Sequence, residues 1–501
     1  MGREEEIVKE REKKIVELRK LGVNPYPHKF DKKNNAVDLQ EEYKKLEKDK
    51  FGKSVIVAGR IMAIRGFGKI NFIQLRDGGG DIQIVLQDGE TPKETTDFFS
   101  KFVDAGDFIG VSGKIFRTKR GELSIMAEEV ELLTKSILPL PGKWQGLKDK
   151  EERYRKRYLD LIMNPEVKDV FVKRAQIIDT IREFLKKREF IEVETPTLQS
   201  IYGGASARPF ETHLNALNIP LYLSISPELY LKRLIAGGFE RVFTICKNFR
   251  NEGIDAFHNP EFTMLEFYYS YVNYEKLIEM TEELINLLKK NLGLKDEIEY
   301  QGTRIKLKTP FKRITFRDVV LKESGIDIDK EDNFEKLKKA ILSKKLKDID
   351  IKRATHYGAL LDELYKRSVR PKIIQPTFLT HYPVEMIALA KRNEKDPRKI
   401  NSFQLLIDGN EIIKAYDELN DPRDQKERLE EQAKLLGKGD AEAMPMDEDF
   451  VNALSVGMPP TAGYGLGIDR LVIILTNQPS IRDVILFPFM KPEKDGTNKQ
   501  K

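Results

Sequence analysis

The stretch RVFTICKNFRNEGIDAFHNPEFTMLEFYYSY, residues 241–271, decides the fold of the larger part of this chain. Residues 242–249 and 262–269 are rich in β-branched, apolar and aromatic side chains, and the residues between them favour turns. This pattern predicts two antiparallel strands joined by a long loop. A cation and several titratable side chains lie near the ends of the strands: Arg250, Glu252, His258, Glu261 and Glu266.

These side chains can face one cavity, because alternate residues of a strand point to the same side. Arg250 and Glu252 are two residues apart and would point to the same side, as would Glu266 and Tyr268. Such an arrangement suits a phosphate together with a cationic ligand. A surface hairpin with solvated charges is the plainer interpretation of an isolated Arg-x-Glu pattern, so the rest of the chain has to decide between the two.

Composition limits the classes of function. The chain has 501 residues, enough for several domains, and its net charge of +6 is too small for a polybasic nucleic-acid binder. Cys246 is the only cysteine, which excludes an internal disulfide and favours a reducing, cytoplasmic compartment. No apolar run is long enough to span a bilayer. We therefore expect no membrane partner and no DNA partner, and any RNA contact must come from local patches.

Five short segments of alternating hydrophobicity follow one another between residues 54 and 133, with a helical pattern at 92–103 between the third and the fourth. This order is typical of an OB-fold barrel. Such barrels bind single-stranded nucleic acid on aromatic faces with cations beside them. The candidates for these contacts are Arg65, Phe72 and Gln83.

A long helix and a strand are predicted next. The amphipathic pattern covers residues 167–188, and Val172 is among the residues that we assign to its apolar side. Residues 190–196 favour a strand that ends at Pro196. By itself this pairing is weak evidence for any function.

Small and acidic residues mark two further candidate contacts with a ligand. The loop at 202–210, YGGASARPF, contains Gly204 and Ala205, and small residues let a ligand approach the backbone closely. Glu228 follows Pro227 at a predicted helix start, where a carboxylate is also favoured by the helix dipole alone.

Two C-terminal segments complete the pattern. Residues 401–420 favour two strands around a tight turn, with Glu411 and Glu418 as the acidic groups. Residues 459–475 favour a strand with glycine at alternate positions, followed by a helix with Arg470 in its first turn. The bare strand face would admit a flat group such as adenine, with Arg470 directed at phosphates.

Taken together, these segments resemble the class II aminoacyl-tRNA synthetases, and FRNEGID followed by HNPEFTMLEFY is similar to their lysyl branch. Residues 167–196, 241–271 and 459–475 resemble motifs 1, 2 and 3, in the order of the family. The resemblance implies an α+β multidomain fold, with an N-terminal OB-fold β-barrel and a class II synthetase catalytic domain, an antiparallel sheet flanked by helices. The implied parts are an N-terminal helical arm (1–50), an OB-fold anticodon-binding domain (51–137), a linker (138–165), a catalytic domain (166–490) with a helical insertion at about 325–375, and a disordered tail (491–501).

The resemblance also implies the reaction: ATP-dependent ligation of L-lysine to the 3′ end of tRNA(Lys) through a lysyl-adenylate, with Mg²⁺, in a homodimer. Arg250 and Arg470 would be catalytic, and Glu411 would hold the metal. The residues implied for ATP are Arg250, Glu252, His258, Phe262, Glu411 and Arg470, with Phe262 and Arg470 on opposite faces of the adenine. Those implied for lysine are Gly204, Ala205, Glu228, Glu266, Tyr268 and Glu418. Those implied for the anticodon are Arg65, Phe72 and Gln83.

The chain departs from the family pattern at several positions. Gln404 stands where a second metal-binding Glu is usual, and Lys414 where an Asn contacts the substrate carboxylate; Phe257 and the segment at 386–391 also differ. Lys414 could pair with substrate carboxylate or phosphate, or it could occupy the place of the amino acid. Two alternatives therefore stand beside an active ligase. One is a synthetase-derived tRNA-binding or regulatory paralogue with weakened or absent aminoacylation, and the other is a class II ligase for another amino acid.

Overall fold

The computed structural model describes residues 2–141, 147–352 and 354–492. Its contacts divide the chain into two compact units, Met1–Lys148 and Asp149–Lys501. None of the helices within the described ranges is long and apolar enough to cross a membrane. Most of the predicted disordered tail, from residue 493 onward, lies outside the described residues, as does part of the predicted linker.

The first unit is a closed barrel with two helices before it. Its five strands are hydrogen-bonded in the order β1-β2-β3-β5-β4, which confirms the predicted OB-fold. The interior is apolar because alternate residues such as Ile73 and Ile84 point inward and are fully buried. The elements are α1 (Arg3–Lys20), α2 (Ala36–Glu42), β1 (Phe51–Phe67), β2 (Ile70–Arg76), β3 (Asp81–Gln87), α3 (Lys93–Phe102), β4 (Phe108–Arg117) and β5 (Leu123–Thr134).

The second unit is built on one large sheet. Its first elements are α4 (Lys150–Arg155), α5 (Arg157–Met163), α6 (Pro165–Lys186), β6 (Ile191–Glu192), β7 (Leu198–Gln199), β8 (Glu211–Leu214), β9 (Ile219–Leu223), α7 (Glu228–Ala236), β10 (Arg241–Phe249), β11 (Glu261–Ser270) and α8 (Tyr274–Leu292). The next are β12 (Glu297–Tyr300), β13 (Thr303–Lys306), β14 (Lys312–Thr315), α9 (Phe316–Ser324), α10 (Phe334–Ser343), α11 (Tyr357–Leu364) and β15 (Thr377–Thr380). The last are β16 (Ser402–Ile407), β17 (Asn410–Asp417), α12 (Pro422–Gly437), α13 (Glu448–Val456), β18 (Thr461–Gly467), α14 (Ile468–Leu475) and α15 (Ile481–Val484).

The large sheet has eight strands in the order β14-β15-β16-β17-β18-β11-β10-β6. All neighbours are antiparallel except the two outermost pairs, β14 with β15 and β10 with β6. β10 and β11 form the hairpin that residues 241–271 predict, and the glycine-rich β18 pairs with both β11 and β17. The predicted antiparallel sheet is therefore confirmed.

The two faces of this sheet have different partners. Leu265 and Phe267 of β11 point toward the face covered by α6, α8 and α14, where they join one apolar cluster. Glu266 and Tyr268, which alternate with them, point to the other face, where Tyr268 joins a second cluster that includes α7, α11 and α13. This alternation places Glu266 and Tyr268 on one side of the sheet and Leu265 and Phe267 on the other.

Three details differ from the sequence expectations or add to them. Val172, assigned to the buried side of α6, is 46% exposed. The strand expected at 190–196 is only Ile191–Glu192, because its single sheet partner is the edge of β10. Residues of the proposed linker form α4 and α5, where buried Arg157 pairs with Asp160 at 2.5 Å. The finer domain boundaries stay predictions.

Candidate active site

One cavity of about 880 Å³ opens on the sheet face that carries Glu266 and Tyr268. It is lined by every residue that we predicted to bind ATP or the amino acid: Gly204, Ala205, Glu228, Arg250, Glu252, His258, Phe262, Glu266, Tyr268, Glu411, Glu418 and Arg470. The fold thus brings together segments that lie far apart in the sequence. The role of each residue stays a prediction.

Three buried carboxylates form one end of the cavity. Glu228 begins α7, Glu266 lies on β11, and Glu418 directly follows β17. Glu266 accepts hydrogen bonds from the Ser226 hydroxyl at 2.8 Å and from the Tyr268 hydroxyl at 3.3 Å. Burial, reinforced by the charge of Glu228, raises the pKa of Glu266 to about 8. Glu266 therefore keeps its proton at neutral pH until a cation lies beside it.

Glu228 and Glu418 are held by groups deeper in the protein. The Tyr416 hydroxyl lies 2.9 Å from each oxygen of Glu228. The ammonium of Lys232, one turn along α7, donates to Glu228 Oε1 at 2.6 Å and forms an ion pair with Glu418. The sequence patterns did not indicate Lys232, although its spacing of four residues from Glu228 on a helix was an available signal.

Two glycines leave room for Glu228 and Glu418, because a side chain at either glycine would overlap them. Gly204 has a φ of +86°, and a Cβ there would come within 2.8 Å of Ser226 Oγ and 2.9 Å of the Glu228 Cβ. A Cβ at Gly463 would overlap the Glu418 carboxylate. The expectation that the glycines of β18 leave a wholly bare face is therefore wrong at Gly463, because Glu418 fills that space. Gly465 meets only ordinary contacts.

Arg250 lies farther along the cavity, beside Phe262. Its guanidinium centre is 5.0 Å from the centre of the Phe262 ring, and its Nη2 donates to the Ile225 carbonyl at 3.3 Å. The Nε of Arg250 is buried and has no hydrogen-bond partner among the described residues. Arg250 covers one face of Phe262, so a base that stacks on this ring has the other face available.

Arg470 is oriented by a chain of polar contacts. Its Nη1 donates to the backbone carbonyl of Glu411 at 3.0 Å, and its Nη2 lies 2.9 Å from Nε2 of His258. Nδ1 of His258 in turn lies 2.8 Å from the Asp255 carboxylate. This arrangement fits the neutral imidazole with its proton on Nδ1, so that Nε2 accepts from Arg470. Asp255 was not among the predicted residues.

Two of the departures from the family pattern, Gln404 and Lys414, face each other in the sheet. Gln404 and Lys414 are register partners on β16 and β17, and Lys414 also pairs with Gly465 of β18. Gln404 Oε1 accepts hydrogen bonds from Tyr365 at 3.1 Å and Tyr382 at 2.6 Å, so its oxygen is already engaged. Both Gln404 and Lys414 line the cavity.

The segment at 325–375, in which the sequence showed no recognisable chemistry, supplies part of the cavity wall. After α11 the chain makes a π-helical turn, Tyr365–Val369, followed by a short 3-10 turn, Arg370–Lys372. The residues from here that line the cavity include Asp362, Tyr365, Lys366, Arg367 and Arg370. Their only signal in the sequence was a cluster of basic residues.

The predicted RNA contacts of the barrel share its outer surface. Phe72 alternates with the inward-facing Ile73 and pairs in register with the exposed Arg65. Gln83 pairs with Gln74, two residues along β2 from Phe72, and so lies on the same face. Phe67, 67% exposed, packs edge-on against Phe72 with ring centres 6.1 Å apart. The sequence patterns did not single out Phe67.

Comparison with known proteins agrees with both units. Residues 149–491 match the family model "tRNA synthetases class II (D, K and N)", and residues 55–133 match "OB-fold nucleic acid binding domain". The lysine--tRNA ligase of Pelotomaculum thermopropionicum is 47% identical over 496 residues, 98% of this chain and 97% of that protein. The one from Thermotoga maritima is 47% identical over 98% of this chain and 97% of its own length. Lysine--tRNA ligase 2 of Methanosarcina mazei is 47% identical over 94% of this chain and 92% of its own. The chain therefore belongs to the class II tRNA synthetases, among the lysine--tRNA ligases.

Proposed function

We propose that this enzyme ligates L-lysine to the 3′ end of tRNA(Lys), using ATP to form a lysyl-adenylate. The observation that carries the proposal is the polarity of the cavity. One end holds the buried carboxylates Glu228, Glu266 and Glu418, and Arg250 and Arg470 lie farther along it. The two ammonium groups of lysine can bind at the acidic end. Its carboxylate must approach the α-phosphate of ATP. Nothing in the comparisons favours a paralogue without catalysis.

The first step joins two anions. The lysine carboxylate attacks the α-phosphorus of ATP, a new oxygen–phosphorus bond forms, and the bond to pyrophosphate breaks. Catalysis of such a step comes mainly from alignment and from fixed cations where charge accumulates. The fork of Arg250 can bind carboxylate and α-phosphate together, since its Nε is buried without a partner among the described residues. Arg470, held by His258, is directed at the phosphates.

In the second step a hydroxyl of the 3′-terminal ribose attacks the carbonyl carbon of the adenylate. The ester bond to the ribose forms, AMP leaves with the bonding electrons, and the hydroxyl proton is released. His258 and His356 both line the cavity, and we assign His258 to nucleotide contact rather than to proton transfer. The AMP phosphate itself is therefore the simplest acceptor of the proton.

Selection for lysine follows from the acidic end. A neutral side chain would leave these buried carboxyl groups without the charged donor that they are placed to receive, which costs several kcal/mol. Glu266, Tyr268 and Glu418 would receive the ε-ammonium, and Glu228 the α-amino group. This pocket disfavours a ligase for aspartate or asparagine.

Magnesium fits this site only with the help of phosphate oxygens. Glu411 supplies one carboxylate, whereas the oxygen of Gln404 is engaged by two tyrosines. Across the described ranges, no group of three or more His, Cys, Asp or Glu side chains could hold a metal ion. When bound with ATP, Mg²⁺ would neutralise phosphate charge. Glu411 is the residue that we assign to it.

Two further assignments complete the proposal. The outer face of the barrel, with Phe72, Gln83 and Arg65, would bind the anticodon by stacking and polar contacts. We also propose a homodimer, supported by the exposed apolar side chains Val172 and Ile191 on the elements that resemble motif 1. The single cysteine favours the cytoplasm, and burial raises the pKa of Cys246 to about 12, which argues against a nucleophile.

Exchange of pyrophosphate into ATP tests the reaction directly. With purified protein and Mg²⁺, we expect exchange that depends on lysine and on no other proteinogenic amino acid, followed by lysine attachment to tRNA(Lys). Exchange with a different amino acid would contradict the substrate assignment. RNA binding without any exchange would support the non-catalytic alternative instead.

A further inference from the structure

Lys232 is buried in an unusual position, behind the acidic end of the cavity. Its side chain is fully inaccessible, as is that of Glu418, and the side chain of Glu228 is only 6% exposed. The Lys232 ammonium contacts both carboxylates and lies 5.8 Å from the ring centres of Tyr416 and Phe450. Glu228 and Glu418 line the cavity, whereas Lys232 does not. Lys232 can therefore act on a ligand only through these two carboxylates.

The charges around Lys232 explain why it is needed. Burial lowers the pKa of its ammonium, but the attraction of Glu228 and Glu418 outweighs this effect and raises the pKa overall. Burial raises the pKa of Glu418 well above its usual range; Lys232 opposes that rise, and Glu228 and Glu266 add to it. Without the ammonium, neighbouring buried carboxylates cannot all stay ionised. A protonated carboxyl is a poor acceptor for a substrate ammonium.

One oxygen of the Glu418 carboxylate is left without a partner among the described residues. Glu418 Oε2 faces Lys232, while Oε1 is buried, lies against Gly463 and has no hydrogen-bond partner in the described part of the chain. Lys232 thus orients the carboxylate from behind, and the other oxygen, unpaired within the described ranges, belongs to a residue of the cavity wall. Glu228 is fixed in the same way, by Lys232 and by Tyr416.

We propose that Lys232 is a positioning residue for amino-acid selection, which orients Glu228 and Glu418 toward the two ammonium groups of the substrate. The inference rests on the proposed function, because it takes lysine as the substrate. The ammonium of Lys232 thereby prepares the site for the ammonium groups of the substrate. Lys232 should influence lysine binding and its pH dependence, and leave ATP binding unchanged.

The test compares Lys232→Gln with a matched control, Lys135→Gln. Lys135, in the barrel unit, is also fully buried and pairs with two carboxylates, Asp104 and Asp107. It belongs to no site described above, so its variant measures the stability cost of the same chemical change. Both variants should melt at a lower temperature than the wild type.

We expect Lys232→Gln to raise the KM for lysine in pyrophosphate exchange about tenfold or more at pH 7, with the KM for ATP unchanged. The KM for lysine should recover partly at higher pH, as the remaining carboxylates lose their protons. Lys135→Gln should keep the wild-type KM and pH profile. A Lys232→Gln enzyme with the lysine KM and pH profile of the wild type would overturn the proposal. Absence of lysine-dependent exchange in the wild type would instead overturn the proposed function.

A second variant covers the case in which Lys232→Gln does not fold. Lys232→Met removes the ammonium without burying an unpaired amide, and its side chain is close in length to that of lysine. We expect the same rise in the KM for lysine, about tenfold or more, with the KM for ATP unchanged. A Lys232→Met enzyme with the lysine KM of the wild type would overturn the proposal.

Discussion

Gln404 and Lys414 lie directly opposite each other on β16 and β17, but only one of them is held in place. Two tyrosine hydroxyls engage the oxygen of Gln404, while the Lys414 ammonium has no hydrogen bond or ion pair among the described residues. Lys414 is on the same strand as Glu411, toward the phosphate end, and Tyr416, toward the acidic end. A free cation between the two halves of the cavity is well placed to meet the carboxylate of lysine or the α-phosphate.

Replacement of Lys414 tests that role. We expect Lys414→Met to lower kcat/KM for pyrophosphate exchange about 10- to 100-fold, because a charge-assisted contact is lost. Lys414→Asn should retain more activity, since its amide still donates hydrogen bonds. Exchange that rises in Lys414→Asn would show the opposite, that Lys414 occupies the place of the amino acid.

Glu266→Gln should separate stability from lysine binding. In the folded state Glu266 has a pKa of about 8, so between about pH 4.5 and 8 it keeps a proton that the unfolded chain loses. The contribution of Glu266 to the free energy of unfolding is therefore greatest below about pH 4.5. It declines as the pH rises toward 8 and is roughly 3 kcal/mol smaller at pH 7. Glu266→Gln removes this penalty, and its melting temperature should exceed that of the wild type increasingly from pH 6 to 8.

The same variant should bind lysine poorly. In the wild type the KM for lysine should fall as the pH rises through about 8, because ionised Glu266 attracts the ε-ammonium. Glu266→Gln should have a higher KM and lack this part of the pH dependence. Exchange assays across that range check the result, and a retained pH dependence would assign it to another group.

Gly463→Ala should disable the amino-acid site without affecting the fold. Its methyl group would displace the Glu418 carboxylate, and a shift of about 1 Å in such a group can cost about 100-fold in kcat/KM. Gly437→Ala is the control, since Gly437 lies outside the cavity and a Cβ there would meet nothing within 4 Å. Equal losses of lysine-dependent exchange in both variants would refute the special role of Gly463.

Phe72→Ala should weaken tRNA use alone. Loss of one stacking platform is expected to lower kcat/KM for tRNA about 10- to 100-fold, with pyrophosphate exchange unchanged. Phe51→Ala is the control, because Phe51 is an exposed barrel aromatic, 53% accessible, that stacks on Phe116 instead. Similar tRNA kinetics for the two variants would count against the predicted anticodon face.

Periodicity and turn residues were enough to predict the elements that carry the site. The period of two in the barrel strands and in β10 and β11 reflects burial on one side, and this is a local property of the sequence. Val172 shows where that reasoning fails, since an apolar residue at helical spacing can still face outward. Burial depends on what covers a helix, and the sequence of one chain does not show this.

The missed site residues have a common cause. Lys232 is defined by its contact with Glu418, and Asp255 by a chain that ends on Arg470 of α14. Tyr365 lines the cavity because a π-helical turn directs it there. Each depends on contacts between elements distant in the sequence, whereas the residues found by motif lie within continuous stretches.

We expect the acidic end of the cavity to link the stability of the protein to its amino acid. Glu228, Glu266 and Glu418 are buried together with the ammonium of Lys232, so a substrate ammonium would add a favourable charge to this cluster. A ligand that binds only the folded chain shifts the folding equilibrium in its favour. When lysine is scarce, a larger fraction of the ligase should therefore be unfolded and open to degradation.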